Sequence, residues 1–186
     1  MNILKQTALI PVIISSMLCA QDIPQEVIDT GDKVSQELMK ALSSKLQHEI
    51  KTKGLIHAAA FCNTNALTLT EEVNLHQVQG VSIRRISLKE RNAANTPSAD
   101  EKKVLESMQK MLKEKQLPPY LVKHEGKGYK YYKPLVIKKE ACLKCHGDIS
   151  KNPQLSEFMK EHYPFDKAQG YKMGDLRGAM VVEIIQ

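Results

Sequence analysis

Apolar residues return every four positions early in the chain, at Val34, Leu38, Leu42, Leu46 and Ile50. That period draws one stripe down a long amphipathic helix over roughly 24–51. Thr52, Lys53 and Gly54 interrupt it. A second helical pattern runs from Leu55 to about His76, carried by Ile56, Ala59, Ala60, Cys62, Ala66 and Leu69. Its small residues, Ala58 to Ala60, let another surface approach closely. Beyond Gly80 the period shortens to two. Val81–Ser87 is β-branched and alternating, which predicts a strand. A polar loop, Leu88 to Pro97, follows. Ser98 and Glu101 then read as a capping box opening a helix to about Gln116, with Val104, Leu105, Met108, Met111 and Leu112 inward. Tyr120–Glu125 and Tyr129–Ile137 flank Gly126, Lys127 and Gly128, a hairpin signal. Residues 153–162 predict a short helix after Pro153, and 177–185 a strongly apolar last strand. This order predicts an α+β domain with an antiparallel sheet and helices grouped on one side.

The first 20 residues do not belong to that pattern. Lys5 is the only charge before Asp22, and Thr7–Ala20 is apolar or small. A short positive start, an apolar run of about 14 residues and a small residue at Ala20 predict a secretory signal peptide over 1–20. The run is too short for a membrane span, and Pro11 interrupts it. Leu18 before Cys19 does not suit a lipoprotein signal, which wants a small residue there. The mature chain is then 21–186, one soluble exported domain with no later membrane-spanning segment.

Composition narrows the function. A length of 186 residues with 42% hydrophobic and 26% charged residues suits one folded domain. Lys+Arg 27 against Asp+Glu 21 gives +6, spread along the chain without a basic block. There is no Trp, and aromatics make up 5%. Nucleic acid is therefore not an expected partner.

The four cysteines carry the chemistry. Cys19 leaves with the signal peptide, so the exported chain keeps an odd set: Cys62, Cys142 and Cys145. Cys142-Leu143-Lys144-Cys145-His146 reads C-x-x-C-H, the attachment motif of c-type haem. Its thiols form thioethers with the two vinyl groups, and its histidine meets the iron. A thioredoxin-like site would want a βαβ pattern around the C-x-x-C. A zinc site would want a second ligand pair, which is missing. A structural disulfide is the remaining alternative. One motif predicts one covalent haem c. The other axial position is open among Cys62, Met159, Met173, Met180, His48, His57, His76, His124 and His162. Cys62 stands out as an unpaired thiol on an apolar helix face, because a metal-bound thiolate is protected from stray disulfides.

Four further stretches form a recognisable set: Arg84 to Pro97 with Glu101, Pro134 to Ile137 leading into Cys142–Gly147, Tyr163-Pro164, and Gly170-Tyr171 followed by Gly174–Gly178. Together they resemble a bacterial family of periplasmic single-haem c-type domains with a PAS-like fold. That family was long catalogued as a domain of unknown function. Its members occur alone or as sensor modules of membrane histidine kinases and chemoreceptors. The likeness covers about 35–186. It implies that Cys142 and Cys145 attach the haem, that His146 is the proximal iron ligand and that Cys62 is the distal one. It places Arg84, Arg85 and Arg91 in a loop whose guanidiniums suit the haem propionates. Ala93 departs from the family, where Pro is frequent.

The expected function is one-electron transfer or redox sensing in the periplasm, with His/Cys-ligated iron. An anionic thiolate favours Fe(III), which predicts a low reduction potential. The alternative is a redox or gas (NO or CO) sensor signalling through a separate partner protein. The expected partners are a periplasmic redox or signalling protein and a diatomic gas. An enzyme is not expected, because a peroxidase needs an open iron and a distal acid/base pair that the sequence does not offer.

Overall fold

The computed structural model describes residues 22–185. The signal peptide expected over 1–20 lies outside them. Two long helices open the domain, α1 (Gln25–Lys53) and α2 (Leu55–Leu75). Strand β1 (Val81–Ile86) and helix α3 (Ala99–Lys113) follow, then β2 (Leu121–Glu125) and β3 (Gly128–Val136). Two short helices, α4 (Glu140–His146) and α5 (Pro153–His162), precede the last strand, β4 (Leu176–Ile185). The predicted elements are present within a few residues of their expected ends. The short α4 is an addition.

Local chemistry sets the boundaries. Gly54 separates α1 from α2 at φ 86°, a backbone conformation that glycine adopts without strain. The Ser98 hydroxyl accepts from the Glu101 amide, and the Glu101 carboxylate accepts from the Ser98 amide. This is the predicted capping box, and it satisfies two donors that helix geometry leaves free. Among the described residues, no helix is long and apolar enough to cross a membrane.

The four strands form one antiparallel sheet in the order β1-β4-β3-β2. The last strand in sequence is therefore inserted between the first and third. On one face Val27, Val34 and Leu38 of α1 bury Ile83, Tyr131, Met180, Val182 and Ile184. On the other, Val104, Leu105 and Met108 of α3 bury Ile86, Tyr132, Ala179 and Val181. The helices thus cover both faces, not one as expected. The reason lies in β4, whose consecutive residues Ala179 to Val182 are all buried. A strand that is apolar at both parities needs cover on both sides. The α1 face is tight: a Cβ added at Gly31 would stand 2.2 Å from the Tyr131 ring.

The outer edge of β1 is closed by a side chain. The Asn74 amide of α2 donates to the Ile83 carbonyl at 3.0 Å and accepts from the Ile83 amide at 2.6 Å. It stands in for a neighbouring strand and occupies an edge that would otherwise present free backbone.

Arg84 and Glu101 lock α3 to β1. Glu101 is 1% exposed, and Arg84 and Lys130 face its carboxylate. Burial pushes that carboxyl up, but the Ser98 amide, Arg84 and Lys130 outweigh it and leave the group below its ordinary value. A carboxyl depressed in the fold contributes stability that is present above its unfolded pKa of about 4.3. That stability is lost as pH falls through the lower, folded value. Acid unfolding should therefore set in below about pH 4, and Glu101→Gln should flatten that acid limb. At neutral pH the same variant should cost about 1–3 kcal/mol, because it spoils paired donors around a buried group. Urea unfolding at pH 7 and pH 3 checks both.

Candidate cofactor site

The C-x-x-C-H residues form a helix, which gives their spacing a geometric meaning. Cys142, Cys145 and His146 stand at i, i+3 and i+4 in α4, so they share one helix face. Gly147 ends the helix, and its amide donates to the Leu143 carbonyl at 2.8 Å. A Cβ at Gly147 would lie 2.6 Å from that oxygen, so a larger residue would disturb the turn. The three described cysteines form no disulfide.

The segment after α5 holds the histidine. The Tyr171 amide donates to the His146 carbonyl at 2.9 Å, and the Gly170 amide to the Gly147 carbonyl at 3.0 Å. Nδ1 of His146 lies 3.0 Å from the Ala168 carbonyl. A carbonyl only accepts, so Nδ1 carries the hydrogen and Nε2 keeps its lone pair. Burial, then the Arg177 and Arg91 charges, push the imidazole pKa down to about 3, so the ring is neutral at physiological pH. A neutral ring with its outer nitrogen free is the form that ligates a metal. The Tyr171 ring meets it edge-on, at 6.2 Å between centroids.

Helix α2 supplies the third cysteine. Cys62 lies on the face that also carries Ala59 and Ala66. Ala59 is packed with Ile149, Leu155, Met159 and Tyr163, and Cys145 joins the same cluster. Cys62 and Cys145 are near enough for a charge on one to act on the other. Burial pushes the Cys62 thiol up, while Arg85 and Arg91 pull it down and only partly compensate.

Three guanidiniums converge on this region. Arg85 of β1 donates to the Ala66 carbonyl at 3.0 Å. Arg91 donates to the carbonyls of Cys145 and Ala168 and pairs with Asp166 at 3.0 Å. Arg177 of β4 donates to the Ser87 hydroxyl at 2.8 Å and to the Lys89 carbonyl at 3.2 Å. All three leave a buried Nε without a partner. Burial, and repulsion from Arg177 or Arg91 respectively, hold Arg85 and Arg177 below the ordinary guanidinium range. Among the described residues, Asp166 is the one carboxylate that bridges to this trio. Half-buried cations with spare, solvent-shielded donors suit an anion.

These features fit a haem. The helix face presents two thiols and a neutral imidazole, α2 presents a thiol, and the spare guanidinium donors suit propionates. Arg84 does not take part as expected. Its position in β1 pairs with Val181, on the α3 face, whereas Arg85 pairs with Met180 on the other. Its guanidinium is engaged with Glu101. Alternation along the strand sends these neighbours to opposite faces. Arg177, Asp166, Tyr163 and Tyr171 were not singled out from the sequence for roles here. Tyr163, Tyr171 and Arg177 lie in the family-like stretches Tyr163-Pro164, Gly170-Tyr171 and Gly174–Gly178, and nothing local marks Asp166.

A family model described as Tll0287-like matches residues 20–184. The chain belongs to the Tll0287-like family. Among solved structures, this Tll0287-like chain is similar to the crystal structure of the cyanobacterial heme-protein Tll0287. The two are 24% identical with a TM-score of 0.61, over 89% of this chain and 98% of that one. That likeness is one of fold. No functionally curated protein matches. The family is the one its four sequence motifs resemble, and the α+β architecture is shared.

The structure also separates the axial candidates of the Tll0287-like chain. Met180 lies under α1 in the sheet core. Met173 is exposed. His48 is exposed, and His57 faces Glu49 at 2.9 Å. Nδ1 of His76 contacts the Glu72 carbonyl, His124 meets Tyr129 edge-on, and His162 packs at a tilt against Phe158. Met159 is buried in the apolar cluster that includes Cys145. Cys62 combines proximity to Cys145 with two neighbouring guanidinium charges.

Proposed function

We propose that this chain is an exported c-type haem protein that carries single electrons or senses redox state. One observation carries the reading: Cys142, Cys145 and a neutral His146 share one face of α4, in the region that also receives Cys62 and three half-buried guanidiniums. Bound haem supplies a one-electron Fe(III)/Fe(II) couple. Cys142 and Cys145 tether it, and His146 and Cys62 hold the iron. Arg85, Arg91 and Arg177 offset the negative charge of thiolate and propionates. The predicted leader supports a periplasmic location, because thioether attachment is chemistry of that side of the membrane. The partner is a separate periplasmic redox or signalling protein.

Attachment is the test. Protein made with a c-type maturation system should keep its haem through acid-acetone extraction and through a denaturing gel. Haem that washes out overturns the reading.

A further inference from the structure

The proximal histidine is held by a carbonyl that has a second, charged donor. Nδ1 of His146 and Nη2 of Arg91 both bond the Ala168 carbonyl, at 3.0 and 3.2 Å. The same Nη2 reaches the Cys145 carbonyl at 2.6 Å, in the peptide that joins Cys145 to His146. Asp166 completes the arrangement from the other side. Its Oδ2 pairs with Arg91 at 3.0 Å, and its Oδ1 accepts from the Ala168 amide at 2.8 Å. Arg91 and Asp166 side chains are 11% and 3% exposed, and Ala168 is fully buried. Water therefore screens little of this charge.

We infer that Arg91 and Asp166 are positioning residues that tune the electron donation of His146 through the Ala168 carbonyl. The inference rests on the haem reading and goes beyond it. It also reassigns Arg91. Its Nη2 faces three protein oxygens, which leaves Nε and Nη1 for a propionate. The physical link is direct. A ligating imidazole becomes more basic as its Nδ1–H bond strengthens. A guanidinium on the same oxygen draws electron density from that acceptor and weakens the bond. Asp166 opposes it, by neutralising Arg91. The two side chains are thus a matched pair acting in opposite senses on one ligand.

Opposite action is what separates tuning from mere bracing. Arg91→Gln removes the positive charge and should lower the midpoint potential of the holoprotein. Asp166→Asn leaves the positive charge uncompensated and should raise it. Arg91→Lys and Asp166→Glu keep the charges and should return the potential toward the wild-type value. The pair of exposed Lys167 with half-buried Glu90 braces the same segment without touching the Ala168 carbonyl. Lys167→Gln, on the solvent side of that pair, should therefore leave the potential unchanged.

Midpoint titration with EPR of the oxidised form reads all five variants. Shifts of opposite sign for the two neutral variants support the inference. Shifts of the same sign, or no shift with haem attached, overturn it. Where a neutral variant does not accumulate as holoprotein, the charge-keeping pair decides. A near-wild-type potential in both supports the inference, and a strongly displaced potential in either overturns it. Wild-type chain without covalent haem overturns the functional reading itself and is seen separately, on the denaturing gel.

Discussion

Replacing Cys142 and Cys145 together with alanine should reduce haem retained on a denaturing gel from full occupancy to background. Each single variant keeps one thioether and should retain intermediate amounts, while His146→Ala should keep covalent haem and lose its low-spin spectrum. This graded series follows from the geometry of α4, where the three side chains share a face but have different chemistry. Thiols make the covalent bonds, and the imidazole makes only the coordinate one. A zinc or disulfide role for the pair would give a different series, with no haem stain in any member. Both cysteines are part-buried against small apolar clusters, Cys142 with Ile137, Ala168 and Tyr171, and Cys145 with Ala59, Ile149 and Tyr163. Their loss should therefore also destabilise the chain modestly, by about 1–2 kcal/mol each. Circular dichroism distinguishes that from failure to fold.

The second large effect is expected at Cys62. Cys62→Ala should abolish the low-spin thiolate EPR signature, raise the midpoint potential and admit CO to the ferrous protein. The sign follows from charge. A thiolate stabilises Fe(III), so removing it favours Fe(II). Partial burial holds the Cys62 thiol above its ordinary pKa, even with Arg85 and Arg91 nearby. A thiol raised in this way ionises less readily, so coordination to iron is what would deprotonate it. An unchanged EPR spectrum in Cys62→Ala would remove Cys62 as a ligand. Met159, in the cluster beside Cys145, would then be the next residue to replace. Rapid CO binding to the wild-type ferrous protein would favour gas sensing, and its absence with fast electron exchange would favour carriage.

Elements with a local code were legible in the sequence. The stripe from Val34 to Ile50, the Ser98–Glu101 box and the glycines around Lys127 each specify their own backbone, and each is found where expected. The C-x-x-C-H motif was equally plain. What escaped depends on contacts between distant segments. The insertion of β4 between β1 and β3 is not written in any one stretch, although its unbroken apolar run was a legible sign of double burial. Arg84 and Arg85 are adjacent and chemically identical, yet strand alternation gives one to a helix cap and the other to the cofactor region. Arg91 and Asp166 are joined across a wide gap in sequence. Nothing local to either residue announces the other.

The amide of Asn74 has a mechanical meaning for the site. It fastens α2 to the Ile83 backbone with two bonds, and Arg85 fastens the same two elements again at the Ala66 carbonyl. These anchor points lie about 12 Å apart along the helix axis, at 1.5 Å per residue. Two separated anchors resist rotation as well as sliding. The helix that carries Cys62 is therefore tied to the edge strand at two points, and a displacement of one is expected to carry the other with it.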